Sequence, residues 1–256
     1  MKKEQKLWTR DELILTINLY CKLPFGRLHQ TNPQVIHLAK LIGRTPGSIA
    51  YKLVNFASLD PSLQARGIKG ASNSSKLDKA VWNEFYNNWD ELPFESEKLL
   101  SQLENKSIEE LNCIEIRNLP KGKERESVVR VRVNQSFFRR SILASYNNTC
   151  CITGLTQKEL LVAGHIKPWS QDKKNRLNPR NGIAINPLHD KAFESGLITI
   201  TPNYKIKISS ILLKGKKSIA MEKYFFQYEN KDIFLPSKFL PDTEFLKYHN
   251  ENRFQP

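Results

Sequence analysis

The segment at residues 149–197, TCCITGLTQKELLVAGHIKPWSQDKKNRLNPRNGIAINPLHDKAFESGL, constrains this chain more than any other stretch. His165 closes an apolar run, Asn181-Gly182 follows sixteen residues later, and His189-Asp190 comes eight residues after that. If the segment folds as hairpin, loop and short helix, that spacing lets imidazole, amide, imidazole and carboxylate converge. A neutral imidazole can take a proton from water, and His and Asp together can hold a divalent cation. These groups suffice for hydrolysis of a phosphodiester.

The same residues resemble the motif of the HNH endonucleases, whose fold is a β-hairpin followed by a helix wrapped around one metal ion. The branch it is most similar to reads roughly C-x-x-T-G, H-I-x-P-W, N-G-x-x-L, then H-D-x-x-F-D-x-G-L. Matches fall at Cys150, Thr153-Gly154, His165-Ile166, Pro168-Trp169, Asn181-Gly182, His189-Asp190, Phe193 and Gly196-Leu197. The chain departs from that pattern at Ile185, where Leu is usual, and at Glu194, where Asp is usual. Gly164 stands where many relatives in the wider family place an Asp or His metal ligand.

The resemblance implies His165 as general base and Asn181 as the residue that holds the loop and orients the imidazole. It implies His189 and Asp190 as the metal pair. Alignment on Phe193 favours Asp190 as the direct ligand, alignment on the letter H favours His189, and both stay open. A site of this kind suits Mg²⁺ or Mn²⁺, with Zn²⁺ or Ni²⁺ as further binders. Phosphate contacts are expected from Lys173, Lys174, Arg176 and Arg180 in the intervening loop.

Charge points the same way. Of 256 residues, 40 are Lys or Arg and 26 Asp or Glu, a net of +14, so a polyanion is the expected partner. Lys and Arg exceed Asp and Glu by 4 across residues 1–100 and by 10 across 101–256. No run approaches a membrane span, and the start, MKKEQKLWTRDEL, lacks the apolar core of a secretory signal. Cys21, Cys113, Cys150 and Cys151 form no C-x-x-C, which predicts neither a zinc knuckle nor a disulfide framework and fits a cytoplasmic protein.

The amino-terminal part reads as helices. Thr9 and Glu12 form a capping box and Trp8 with Leu13 a staple, opening a helix that buries Leu13, Ile14, Ile17 and Tyr20. Residues 33–42 repeat the periodicity, Gly43 breaks it, and Thr45-Pro46 starts a third helix burying Ile49, Leu53 and Phe56. Helix, Gly turn and helix resemble a Myb-like or homeodomain-like unit, in which Tyr51, Lys52 and Asn55 would face DNA. Arg66 and Lys69 in the following Gly/Ser-rich loop would hold phosphates. A fourth helix is expected at about 76–90, a linker at 93–127 with a short helix near 96–105, and a strand at VVRVRV, 128–133.

The expectation is therefore an α+β protein. It comprises a helical, helix-turn-helix-like domain at 1–92, a linker at 93–127 and a ββα-metal HNH nuclease domain at 128–256. The expected activity is metal-dependent cleavage of double-stranded DNA by a homodimeric, restriction-type endonuclease. The alternative is a DNA-binding protein with an inactive HNH-like domain.

Overall fold

The computed structural model describes residues 6–68, 74–86, 88–115, 122–214 and 218–256. The chain forms two compact units, Met1–Phe137 and Phe138–Pro256.

The first unit is helical. Helix α1 (Arg10–Lys22) begins with the expected capping box: Thr9 accepts from the Glu12 amide, and the Glu12 carboxylate accepts from the Thr9 amide. Leu13, Ile14, Ile17 and Tyr20 are fully buried as expected, and so are Thr16 and Asn18, because neighbours cover α1 on several sides. Helix α2 (Pro33–Leu41) is capped by Asn32 and followed by Gly43 at φ +65°. Helix α3 (Pro46–Leu59) is capped by Thr45, and short α4 (Pro61–Ala65) by Asp60. Helix α5 spans Lys76–Tyr86.

The segment expected as a linker is largely helical. Helix α6 (Leu92–Glu104) packs on α1, and α7 (Ile108–Leu111) follows. Mixed charge in this stretch concealed pairing: Lys22 meets Glu97 at 2.9 Å with both side chains nearly covered, and Arg10 pairs with Glu95 at 2.6 Å. Phe94 and Ile114 are buried against Val129 and Val133.

Those two valines belong to α8 (Lys123–Ser145), not to a strand. The expectation of a strand at 128–133 is thus corrected. VVRVRV alternates over only six residues, a length at which a period of two and an i, i+4 repeat are hard to separate. The longer series decides: Val129, Val133 and Phe137 are buried at intervals of four, while Val131 is 45% exposed. The division between the units falls within α8.

In the second unit, β1 (Val162–His165) pairs antiparallel with β2 (Gly182–Ile185), Val162 opposite Ile185 and His165 opposite Gly182. Helix α9 (Pro187–Glu194) follows, with Asn186 as N-cap and Pro187 in its first turn. A second hairpin joins β3 (Ile198–Ile200) to β4 (Ile206–Ile208), as the alternation there predicts. Short helices α10 (Ser210–Leu213) and α11 (Ile219–Tyr224) precede α12 (Thr243–Asn252), capped by Asp242. Fully buried Cys150, Ile183, Ile185, Ile200 and Leu246 lie at the centre of this unit, and Cys150 and Cys151 are buried free thiols. Among the described residues, no helix is long and apolar enough to cross a membrane.

Candidate functional site

The first hairpin and α9 bring His165 and Asp190 to one cleft of about 280 Å³, lined also by Gly164, Trp169, Glu194 and Arg253 among others. His165, at the end of β1, is half-buried. Its ring stacks on Phe138 of α8 at 4.0 Å between centroids and 5° between planes, and Trp169 stands edge-on at 5.5 Å. Nε2 lies 2.9 Å from the Arg176 carbonyl oxygen. A carbonyl can only accept, so Nε2 carries the proton and Nδ1 keeps a free lone pair. Burial holds the imidazole pKa below its ordinary value, partly offset by the Arg176 carbonyl, so the ring is neutral at pH 7.

Asn181 is fully buried and does not itself line the cleft. Its Oδ1 accepts from the Lys167 amide at 2.8 Å, and its Nδ2 donates to the carbonyls of Lys167 at 3.1 Å and Asn175 at 3.2 Å. It thus pins the loop beside Arg176, whose carbonyl fixes the His165 tautomer. Gly182 completes the device: a Cβ there would come within 2.4 Å of Ile142 Cδ1 and 2.7 Å of Phe138 Cζ. Only glycine opposite His165 lets α8 approach closely enough for the Phe138 ring to stack.

Asp190 and His189 leave α9 in different directions. Asp190 is half-buried with its carboxylate beside β1, 2.5 Å from where a Cβ on Gly164 would lie. The glycine that departs from the wider family's pattern therefore makes room for a carboxylate arriving from the helix. Burial raises the Asp190 pKa, the Glu194 charge adds to this, and Lys191 opposes it. His189 is buried, 2% exposed, with both ring nitrogens engaged: Nε2–H donates to the Tyr224 carbonyl at 2.5 Å, and Nδ1 accepts from Asn186 Nδ2 at 2.7 Å. With no free lone pair, His189 ties α11 to α9 and is not placed to bind a metal. This corrects its expected role. Adjacent helical residues diverge by about 100°.

Among the described residues, no three His, Cys, Asp or Glu side chains cluster as a metal site. The donor set still fits a hard cation. A half-buried carboxylate with a second acidic residue, Glu194, on the same cleft suits an ion that keeps several waters and substrate oxygens.

The basic loop is only partly free. Lys173 and Lys174 are exposed. Arg176 donates from Nε to the Trp169 carbonyl at 2.9 Å and lies over the Trp169 ring, and Arg180 pairs with Asp242 at 3.1 Å.

In the first unit, two expected DNA contacts are corrected. Lys52 is 6% and Asn55 1% exposed; Lys52 Nζ meets both oxygens of Asp78 at 2.9 Å and lies 4.9 Å from the Trp8 ring centroid. Helix α3 packs against α1, α2, α4 and α5, so the face opposite Ile49 and Leu53 is also covered. Tyr51, 49% exposed, is the residue of α3 left open, and Arg66 is exposed in the loop beyond α4. Lys69 lies outside the described residues.

Sequence reasoning missed Phe138, Tyr224 and Arg253. An aromatic on a helix and a backbone carbonyl carry no motif signal. Arg253 sits some sixty residues past the motif in a tail that looks merely amphipathic.

An antiparallel hairpin followed by a helix, with a neutral histidine and a helix-borne carboxylate lining one cleft, forms a ββα arrangement. Residues 150–201 match the model of a family described as HNH endonuclease. No curated protein matches the chain.

Proposed function

We propose that this protein is a metal-dependent, restriction-type endonuclease that cuts double-stranded DNA. The observation that carries the reading is the His165 imidazole, neutral and held in one tautomer, in the same cleft as the Asp190 carboxylate. Nδ1 of His165 takes a proton from water as the resulting hydroxide attacks phosphorus, and the bond to the 3′-oxygen breaks. Asn181 and Phe138 hold that ring, and the cleft wall around Trp169 limits water. Asp190, with Glu194, would hold a divalent cation such as Mg²⁺ or Mn²⁺. When bound, such an ion neutralises the phosphate and the departing oxygen. Lys173 and Lys174 supply exposed positive charge on the loop between β1 and β2.

The helical unit would read DNA through Tyr51 and Arg66, and two chains would act as a homodimer in the cytoplasm. The test is incubation of the full chain with methylated and unmethylated plasmids plus Mg²⁺ or Mn²⁺, followed by end sequencing. Defined ends support the restriction reading, scattered ends a sequence-blind nuclease. A second reading, a DNA-binding protein with an inactive site, is favoured by the lack of a three-ligand cluster among the described residues. DNA binding without cleavage under any divalent metal would establish it.

A further inference from the structure

One wall of the cleft comes from outside the motif. Arg253, just past the end of α12, lines it together with Glu194 and His249. The tail is clamped to the end of α9. Arg253 Nη2 donates to the Glu194 carbonyl at 2.7 Å, the Gln255 amide to the Gly196 carbonyl at 2.9 Å, and Gln255 Nε2 to the Ser195 carbonyl at 2.9 Å. Gly196, at φ +71°, leaves open the space where a Cβ would lie 2.0 Å from the Arg253 carbonyl oxygen. One turn earlier His249 is buried, donates Nε2–H to the Phe193 carbonyl at 3.0 Å and stacks on the Phe193 ring at 3.7 Å.

Arg253 is thus anchored at one nitrogen while the side chain stays exposed. Among the described residues no carboxylate lies within ion-pair distance of it, in contrast to Arg180, which meets Asp242 at 3.1 Å. Its known partner is one neutral carbonyl, so most of its N–H donors remain for an anion. An anchored cation on the same cleft as a general base is what a phosphodiester's negative oxygens require.

We propose that Arg253 binds a non-bridging oxygen of the scissile phosphate, so that the carboxy-terminal tail completes the catalytic cleft. This rests on the nuclease reading above.

The test uses the full-length chain and Arg253→Gln, whose amide can still donate to the Glu194 carbonyl. Plasmid cleavage with Mg²⁺ or Mn²⁺ is expected to slow by about 10²–10³-fold. The slope of log affinity for a duplex against log salt should become shallower by about 1, the signature of one lost phosphate contact. Arg253→Lys should restore the slope and only part of the rate. An Arg253→Gln protein that cuts within threefold of wild type overturns the proposal. A measurement on the unmutated chain covers the case in which the variant does not fold. Duplex DNA should shield Arg253 from phenylglyoxal, read by peptide mass, and equal modification with and without DNA also overturns it. If the wild-type chain cuts no DNA with either metal, the nuclease reading fails and this inference falls with it. If wild type cuts and Arg253→Gln cuts equally, only the role of Arg253 is lost.

Discussion

At His165 the hydrogen bond to the Arg176 carbonyl leaves Nδ1 as the nitrogen for the proposed base. Burial lowers the pKa from the ordinary 6.5, and a base works only when neutral. Activity should therefore rise with pH through a midpoint below 6.5 and be level above it. Asp190, raised above its ordinary value by burial, titrates on the same acid side and steepens the fall at low pH. A kcat/KM profile at saturating metal with its acid midpoint above 7 would contradict this tautomer and role. His165→Ala should lose about 10²–10⁴-fold in rate while retaining its melting transition. Cleavage within threefold of wild type would show that the base lies elsewhere. The pair on α9 should separate in kind. Asp190→Ala should abolish metal-dependent cleavage at every metal concentration. His189→Ala should act through stability, at about 1–3 kcal/mol, because the Tyr224 carbonyl and the Asn186 amide lose a partner. A titration in which excess metal rescues His189→Ala would instead return His189 to the neighbourhood of the ion.

The elements show what the sequence makes legible. The capping box at Thr9 and the cap at Thr45 are local signals, and each stands where it was expected. What was missed depends on packing between elements distant in sequence. Lys52 reads as a solvent-facing residue until α5 brings Asp78 against it, and VVRVRV reads as a strand until Phe94 and Ile114 select the i, i+4 face of a helix. Likewise Gly164 reads as a missing ligand until α9 places Asp190 in its empty Cβ space. Gly164→Ala should therefore push the carboxylate aside and lower metal-dependent cleavage at least tenfold, and wild-type activity in that variant would show that the site tolerates the shift. The tail helix α12 makes a pH prediction. His249 has its pKa lowered to about 4, chiefly by burial, against 6.5 when unfolded. The unfolded chain then binds the extra proton, so stability is complete above pH 6.5 and declines toward pH 4, by about 3 kcal/mol. His165 and His189, also lowered by burial, act in the same window. Denaturant melts of His249→Gln should thus show a reduced, not abolished, slope between pH 6.5 and 4.5, and an unchanged slope would remove His249 from the effect.

On the scale of the whole molecule, the net charge of +14 and the cleft together make DNA the natural partner, but they leave open how one cleft deals with two strands. The strands of a duplex are antiparallel, so a chain with one general base must cut them in succession or act with a second copy related by a twofold axis. The proposed homodimer predicts the second course. At limiting protein, supercoiled plasmid should pass to the linear form with little nicked circle accumulating. The initial rate should rise more steeply than linearly with protein concentration until dimers saturate. Light scattering on a metal-supported complex with a short duplex should report two chains per duplex. If nicked circle accumulates fully before linear DNA appears, and the rate stays proportional to protein throughout, the chain works as a monomer. The restriction-type reading would then lose its main mechanical support, while the roles of His165 and Asp190 would stand.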